Sequence, residues 1–402
     1  MSVIFNVIFD FIYNVLGIFC IIYALYYFFM ALPVFLKKKE LEIKPKKTKF
    51  GILIAARNEE DVIGDLIDSL NEQNYDKKLF DTIVLVNNCT DDTKGEALKH
   101  GAKVLDVDVP VKTKGEVLYF AKDKLKKEKY DAYIIFDADN IVDKNFLSEM
   151  NNVYQNGYIV AQGFRDAKNL SDNWLTASYS IFYYIQNYFF NLSRRNIKKS
   201  ALINGTGFMV DKKYFEEKFK PVTITEDVEF TATCVLDHKN VYFADKAITY
   251  DEHTPNFWDS WKQRKRWSKG MVQNLYKNGF GLIKGMFTNI SCIDLLFNFM
   301  APYIQLLSVI LTSILFFKSL NNIYFLNIPL LTFTNTFAFA SVVFLGMIFV
   351  NLYVVLYNKR TFKESYSGIF LFCIFMFSWL PINLVAIISR DMNWDPIKHG
   401  KR

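Results

Sequence analysis

The sequence predicts a mixed α/β domain with a mostly parallel sheet, held between apolar helices that cross a bilayer. Two observations carry that prediction. From Phe50 to Phe136, short apolar runs alternate with amphipathic stretches of helical period, the pattern of strands and their covering helices. On either side, Phe11–Leu36, Leu295–Phe317, Ser319–Asn358 and Ser365–Ser389 carry no charged residue, and a span needs roughly 20 apolar residues.

In chain order, the first apolar segment is a retained anchor rather than a cleaved signal. It lacks a basic start, is too long, and runs directly into Lys37-Lys38-Lys39. Those lysines place its C-terminal end, and the middle domain with it, in the cytosol. Gly51–Ala55 reads as a strand, and Val62, Ile63, Leu66, Ile67 and Leu70 mark the helix within Glu59–Glu72. Thr82–Val86 is a second strand, followed by a polar turn and a short helix to Lys99. Ala102–Leu105 is a third strand, Thr113–Lys127 a helix, and Tyr133–Phe136 a fourth strand that stops at Asp137. Ser319–Asn358 is read as one span, because Asn321, Asn322, Asn327 and Pro329 make its first half a poor lipid-facing helix. The expected division is an anchor (1–36), a basic linker (37–49), the α/β domain (50–256), interfacial helices (257–294), about three C-terminal spans (295–390) and a tail (391–402). The span count decides the side on which Trp394-Asp395-Pro396 lies.

Charge and cysteine content narrow the function. The 48 Lys and Arg against 41 Asp and Glu leave a net +7, clustered at Lys37–Lys49, Lys122–Lys129 and Arg264–Lys269. These clusters suit anionic lipid at a membrane surface. No basic stripe is interleaved with stacking aromatics, so nucleic acid is not an expected partner. The five cysteines show neither metal nor disulfide spacing, which fits a reducing compartment. No G-x-G-x-x-G or P-loop is present.

Ligands of open parallel sheets sit beyond the C-terminal strand ends, which directs attention to Ala56–Glu59, Asn87–Asp92 and Asp137–Asn140. Asp137-Ala138-Asp139 places two carboxylates where a strand leaves the sheet, suited to a hard cation shared with phosphate oxygens; Asp and Asn are equally ordinary turn formers. Thr225-Glu226-Asp227 offers a general base, while Thr223-Ile224-Thr225-Glu226 also matches a helix-start capping box. In Gln263-Arg264-Lys265-Arg266-Trp267, helical spacing puts Gln263, Arg266 and Trp267 on one face, with Arg264 and Lys265 pointing elsewhere. Arg and Gln can grip a diphosphate, and an indole can carry a sugar ring. An amphipathic helix lying on a bilayer would look similar.

Taken in order, Ala56-Arg57-Asn58-Glu59, Asn88-Cys89-Thr90-Asp91, Lys114-Gly115, Asp137-Ala138-Asp139, Asn204-Gly205-Thr206-Gly207, Thr225-Glu226-Asp227 and Gln263-x-x-Arg266-Trp267 resemble the membrane-embedded family 2 glycosyltransferases. That group includes the synthases of cellulose, chitin, hyaluronan and poly-N-acetylglucosamine. The resemblance covers about Phe50 to Gly285, plus the flanking helices. It implies a GT-A (Rossmann-like) fold and inverting transfer from a nucleotide sugar, usually UDP-linked, with Mg²⁺ or Mn²⁺. By the same resemblance Asp139 binds the metal, Asp227 is the catalytic base with Glu226 beside it, and Arg57, Glu59, Asn87, Lys114, Asp137, Gln263 and Arg266 hold the nucleotide sugar. Gly205, Thr206 and Trp267 serve the acceptor. Many family members have Asp where this chain has Asn87, which leaves the identity of the base open. The first expectation is a synthase extending a β-linked polysaccharide. The alternatives are transfer of one sugar to a lipid or envelope acceptor, and a membrane scaffold whose transferase domain has decayed.

Overall fold

The computed structural model describes residues 2–37, 40–326 and 329–389; the expected tail, with Trp394-Asp395-Pro396, lies outside the described residues. Its centre is a sheet of β1 (Phe50–Ala56), β2 (Phe80–Val86), β3 (Lys103–Asp106), β4 (Ala132–Asp137), β5 (Ile141–Val142), β6 (Val160–Ala167), β7 (Phe208–Asp211) and β8 (Tyr242–Asp251). The order across it is β3-β2-β1-β4-β7-β6-β8-β5. The four strands read from the sequence are the parallel neighbours β3, β2, β1 and β4. Beyond Asp137 the sheet turns mixed, because β7 enters antiparallel to both β4 and β6, while β8 pairs parallel to β6.

Side-chain alternation along β1 explains why both faces are covered. Phe50, Ile52 and Ile54 are buried with Ile63, Leu66, Ile67 and Leu70 of the Ile63–Asn71 helix. Leu53 points the other way, to the cluster containing Val117, Leu118 and Ala121 of the Lys114–Lys124 helix. The register then sets the site. Ala55 pairs with Asp137, Ala56 with Val86, and Val86 with Asp106, so the parallel strands end in step and release their loops at one edge.

Apolar helices flank this domain. Ile8–Phe35, Ser291–Ile314 and Phe362–Ile388 are each long and apolar enough to cross a membrane. Of the Ser319–Asn358 stretch, the polar start prolongs the Ser291–Leu326 helix, and one separate helix runs Pro329–Tyr357. Proline is tolerated in a first helical turn, where its missing N–H has no partner to lose. The Trp174–Ile185 helix joins the two parts, with Tyr179 edge-on to Phe375 at 5.0 Å.

A buried ion pair fastens the first apolar helix. Arg194 and Asp294 are 0% and 1% exposed. Arg194 Nη2 donates to Asp294 Oδ1 at 2.7 Å, and its Nη1 donates to the carbonyls of Phe189 (2.9 Å) and Met30 (3.2 Å). The guanidinium also lies over the Phe190 ring at 4.0 Å. Three separate segments thus share one cation. Replacing Arg194 with Met leaves Asp294 buried without its counter-charge, at a cost of about 3–5 kcal/mol. Thermal unfolding of the purified chain should show this loss, and Arg194→Met with Asp294→Asn should recover much of it.

Candidate active site

At the strand-end edge lies a cavity of about 770 Å³. Arg57, Glu59, Asn87, Lys114, Asp137, Asp139, Gly205, Glu226, Asp227, Gln263, Arg266 and Trp267 all line it. Thr206, expected at the acceptor, does not. It is fully buried, and its hydroxyl accepts from the Asp137 N–H at 3.0 Å while donating to Asn140 Oδ1. Thr206 therefore holds the Asp137–Asn140 turn from behind instead of facing an acceptor.

The loops after β1 and β2 are zipped together. Asn58 and Asn88 adopt left-handed backbone, φ 60° and 50°, a conformation that asparagine tolerates better than most residues. Asn58 Oδ1 accepts from Thr90 N at 2.7 Å, and Glu59 N donates to Thr93 Oγ1 at 2.9 Å. Arg57, Glu59 and Asn87 thereby form one wall. Asn87 is 4% exposed, and its Oδ1 is buried without a hydrogen-bond partner among the described residues.

Lys114 starts its helix with Nζ 2.5 Å from Asp137 Oδ1 and 2.9 Å from the Gly205 carbonyl. Gly115 lets that helix approach closely, since a Cβ there would stand 2.9 Å from the Glu226 Cβ. Gly205, at φ +92°, lies between two carboxylates. A Cβ on it would sit 3.6 Å from Asp227 Oδ2 and 3.9 Å from Asp137 Oδ2.

Buried like charges set the electrostatics. Burial, then the charges of Asp251 and Asp137, holds the Asp139 carboxyl well above the ordinary carboxylate range. Burial also raises Asp227, against the pull of Lys114 and Arg266. Glu226 is pushed up to about 7 by burial and the adjacent Asp227. Burial alone would pull Lys114 down, but Asp137, Glu226 and Asp227 outweigh it and raise its pKa.

The Glu226–Leu236 helix corrects one reading. Its N-cap is Thr225, which makes no side-chain capping bond, and Thr223 Oγ1 instead donates to the Thr225 carbonyl at 3.2 Å. The capping box does not form, and Glu226 faces the cavity. On the Phe257–Gly285 helix, Gln263, Arg266 and Trp267 share the cavity wall as expected, but Lys265 joins them. Arg264 does turn away. It is fully buried, donating to Ser378 Oγ at 2.6 Å and lying 4.6 Å from the centre of the Phe375 ring. Trp267 meets Tyr179 and Tyr183 edge-on at 6.1 and 6.4 Å, with Trp379 nearly parallel at 6.3 Å.

Sequence reasoning missed a second charged layer. Arg165 Nε donates to Asp251 Oδ2 at 2.9 Å, and Asn140 Nδ2 donates to Asp251 Oδ1 at 2.9 Å. The Arg165 guanidinium stacks on Tyr183 at 4.1 Å. His253, stacked between Tyr179 and Tyr183, is pushed down to about 4 by burial. The only signal was Arg165 within the strand Val160–Ala167, where Asp166 follows it; its partner Asp251 lies 86 residues away and becomes a neighbour only through the β6–β8 pairing.

Glu226 makes a pH test. Its ordinary value is 4.5 and its folded value about 7, so between them the native state holds the extra proton. Stability is fully present below pH 4.5 and falls as pH rises through about 7, by on the order of 3 kcal/mol. Glu226→Gln should flatten this part of the stability–pH profile and melt higher than wild type above pH 7.

Comparison with known proteins agrees with this fold. The fold is similar to the mannosyltransferase PcManGT from Pyrobaculum calidifontis, solved in complex with GDP-Man and Mn²⁺. The TM-score is 0.61 and the identity 12%, covering 94% of this chain and 99% of that one. This likeness shows the fold, GT-A with flanking apolar helices. Among curated proteins, the probable glycosyltransferase YdaM of Bacillus subtilis (strain 168) is 25% identical over 233 residues, 55% of each chain. The chain therefore spans about half the length of that relative. The sequence profile described as glycosyltransferase like family 2 matches residues 45–270, more than half of the chain and every motif from the β1 loop to Trp267, and the chain belongs to the family 2 glycosyltransferases.

Proposed function

We propose that this protein is an integral membrane glycosyltransferase, its catalytic domain cytosolic. It moves a sugar with inversion from a nucleoside diphosphate donor, UDP first among candidates, to the end of a growing β-linked polysaccharide. One observation carries the acceptor side. The cavity that holds Asp227 is also lined by Asn298, Pro302 and Gln305 of the Ser291–Leu326 helix and by Trp379 and Asn383. In that cavity Gln186 Oε1, Asn298 Oδ1 and Trp379 Nε1 are buried without hydrogen-bond partners among the described residues. Amides beside aromatic faces suit a chain of hydroxyl-bearing rings and would be left unsatisfied by an acyl chain.

In the donor half, Lys114, Gln263 and Arg266 meet the diphosphate, and Arg57, Glu59 and Asn87 the nucleoside. An amide at Asn87 can donate as well as accept, so it can serve a base with either pattern. The residues fit a divalent metal. No three His, Cys, Asp or Glu side chains among the described residues could cage one, but Asp139 beside Asp137 gives the one- or two-carboxylate footing that Mg²⁺ and Mn²⁺ complete with phosphate oxygens. When bound, the ion would neutralise Asp139 and offset charge building on the diphosphate. PcManGT, of the same fold, was solved with Mn²⁺. In the reaction, the acceptor hydroxyl oxygen bonds to the anomeric carbon and its proton passes to Asp227. The bond from that carbon to the diphosphate oxygen breaks, and the nucleoside diphosphate leaves with the electron pair. A base whose pKa burial has raised is better matched to that proton near neutral pH.

Two variants separate the roles. Asp227→Asn should lower transfer by about 10²–10⁴-fold while nucleotide binding survives. Asp139→Asn should lose metal-dependent nucleotide binding as well. Turnover near wild type in either variant would remove its assigned role; a lower melting temperature alone would return Asp227 to structure.

Trp267→Ala tests chain extension. The indole is the shelf for the terminal sugar, and such stacking contributes about 0.5–1.5 kcal/mol. The variant should bind donor and release nucleotide yet make short products or none, read by sizing radiolabelled product. A wild type that adds one sugar to a lipid and stops would establish the single-transfer alternative.

A further inference from the structure

We propose that Asn204 reads the sugar at the reaction centre, its carboxamide hydrogen-bonding two adjacent ring substituents of a pyranose. The inference rests on the glycosyl-transfer reading above.

The Asn204 backbone is held on both sides. Its N–H donates to Gln162 Oε1 at 3.1 Å, and its carbonyl accepts from Arg165 Nη1 at 2.7 Å. Gln162 is fully buried and Arg165 is 7% exposed, so both anchors are rigid parts of β6. The side chain is treated differently. Asn204 is 8% exposed and lines the cavity, yet neither Oδ1 nor Nδ2 meets a hydrogen-bond partner among the described residues. Leaving both ends of a buried amide unsatisfied is destabilising, and buried polar groups are nearly always paired. A fixed backbone carrying an unpaired amide is the arrangement expected of a group kept for a ligand.

Position and chemistry identify that ligand. The next residue, Gly205, lies between Asp227 and Asp137, so the amide stands beside the place where the acceptor hydroxyl meets the donor carbon. A carboxamide presents a donor and an acceptor side by side. Two neighbouring hydroxyls, or a hydroxyl and an acylamino group, answer both. A phosphate only accepts, and would leave Oδ1 unpaired. The pyranose can be the donor sugar or the terminal acceptor sugar, and the two are separable by assay.

Asn204→Leu keeps the branched side-chain shape and removes both hydrogen-bonding groups; Asn204→Asp keeps the acceptor alone. The intact chain, reconstituted in lipid, is assayed with UDP-glucose, UDP-N-acetylglucosamine and GDP-mannose, using whichever wild type accepts. Asn204→Leu should melt no lower than wild type and bind free nucleoside diphosphate normally, yet lose at least about tenfold in kcat/KM for transfer, with Asn204→Asp between. Hydrolysis of the donor without acceptor should fall equally if the amide reads the donor sugar, and stay unchanged if it reads the acceptor. Transfer by Asn204→Leu within about twofold of wild type, or a loss that only tracks a lower melting temperature, overturns the inference. A wild type that transfers from none of these donors defeats the glycosyl-transfer reading and this inference with it, whereas an active wild type with a neutral Asn204→Leu defeats the inference alone.

Discussion

Among the carboxyl groups that line one cavity at the edge of a sheet are Asp137, Asp139, Glu226, Asp227 and Asp251, and the rest of the structure answers to that charge. Such a cluster holds together only with cations or protons. Lys114 supplies one cation to Asp137, and Arg165 another to Asp251. Arg266 lowers Glu226 and Asp227 from across the cavity. What those cations leave uncompensated appears as raised pKa values at Asp139, Glu226 and Asp227. A site in this condition favours a divalent cation and a proton to accept, both of which the proposed transfer supplies.

The charge cluster also explains the second layer of residues. Thr206 and Asn140, behind the cavity, and Arg165, on its wall, fix backbone and carboxylate orientation. In a low-dielectric pocket a carboxylate displaced slightly loses much of its effect, so such orientation is part of the chemistry.

The far wall depends on polar ties from the Phe257–Gly285 helix to the apolar helices. Ser268 Oγ donates to Asn383 Oδ1 at 2.7 Å, and Asn383 Nδ2 donates to Gln305 Oε1 at 2.7 Å. With the Arg264–Ser378 bond, these tie the helix carrying Gln263, Arg266 and Trp267 to the apolar helices on the far side of the cavity. The proposed diphosphate side and the proposed acceptor path are thus parts of one frame.

Much of this was legible in the residues alone. The alternation from Phe50 to Asp137 specifies four parallel strands because strand and helix periods are local properties of the chain. Equally local are the uncharged apolar segments and the spacing of Gln263, Arg266 and Trp267 on one helical face. The strands after Asp137 were not legible: β6, β7 and β8 pair with partners distant in sequence, and their order follows from how the sheet closes. Local reasoning equally favoured a cap at Thr223–Glu226, since a capping box is a local pattern; packing of the Lys114–Lys124 helix against Glu226 turned that carboxyl inward instead. Arg165 with Asp251, and Asn204 with its unpaired amide, became recognisable only in three dimensions. Burial, pairing and the lack of a partner are relations between segments, and no single stretch of sequence contains them.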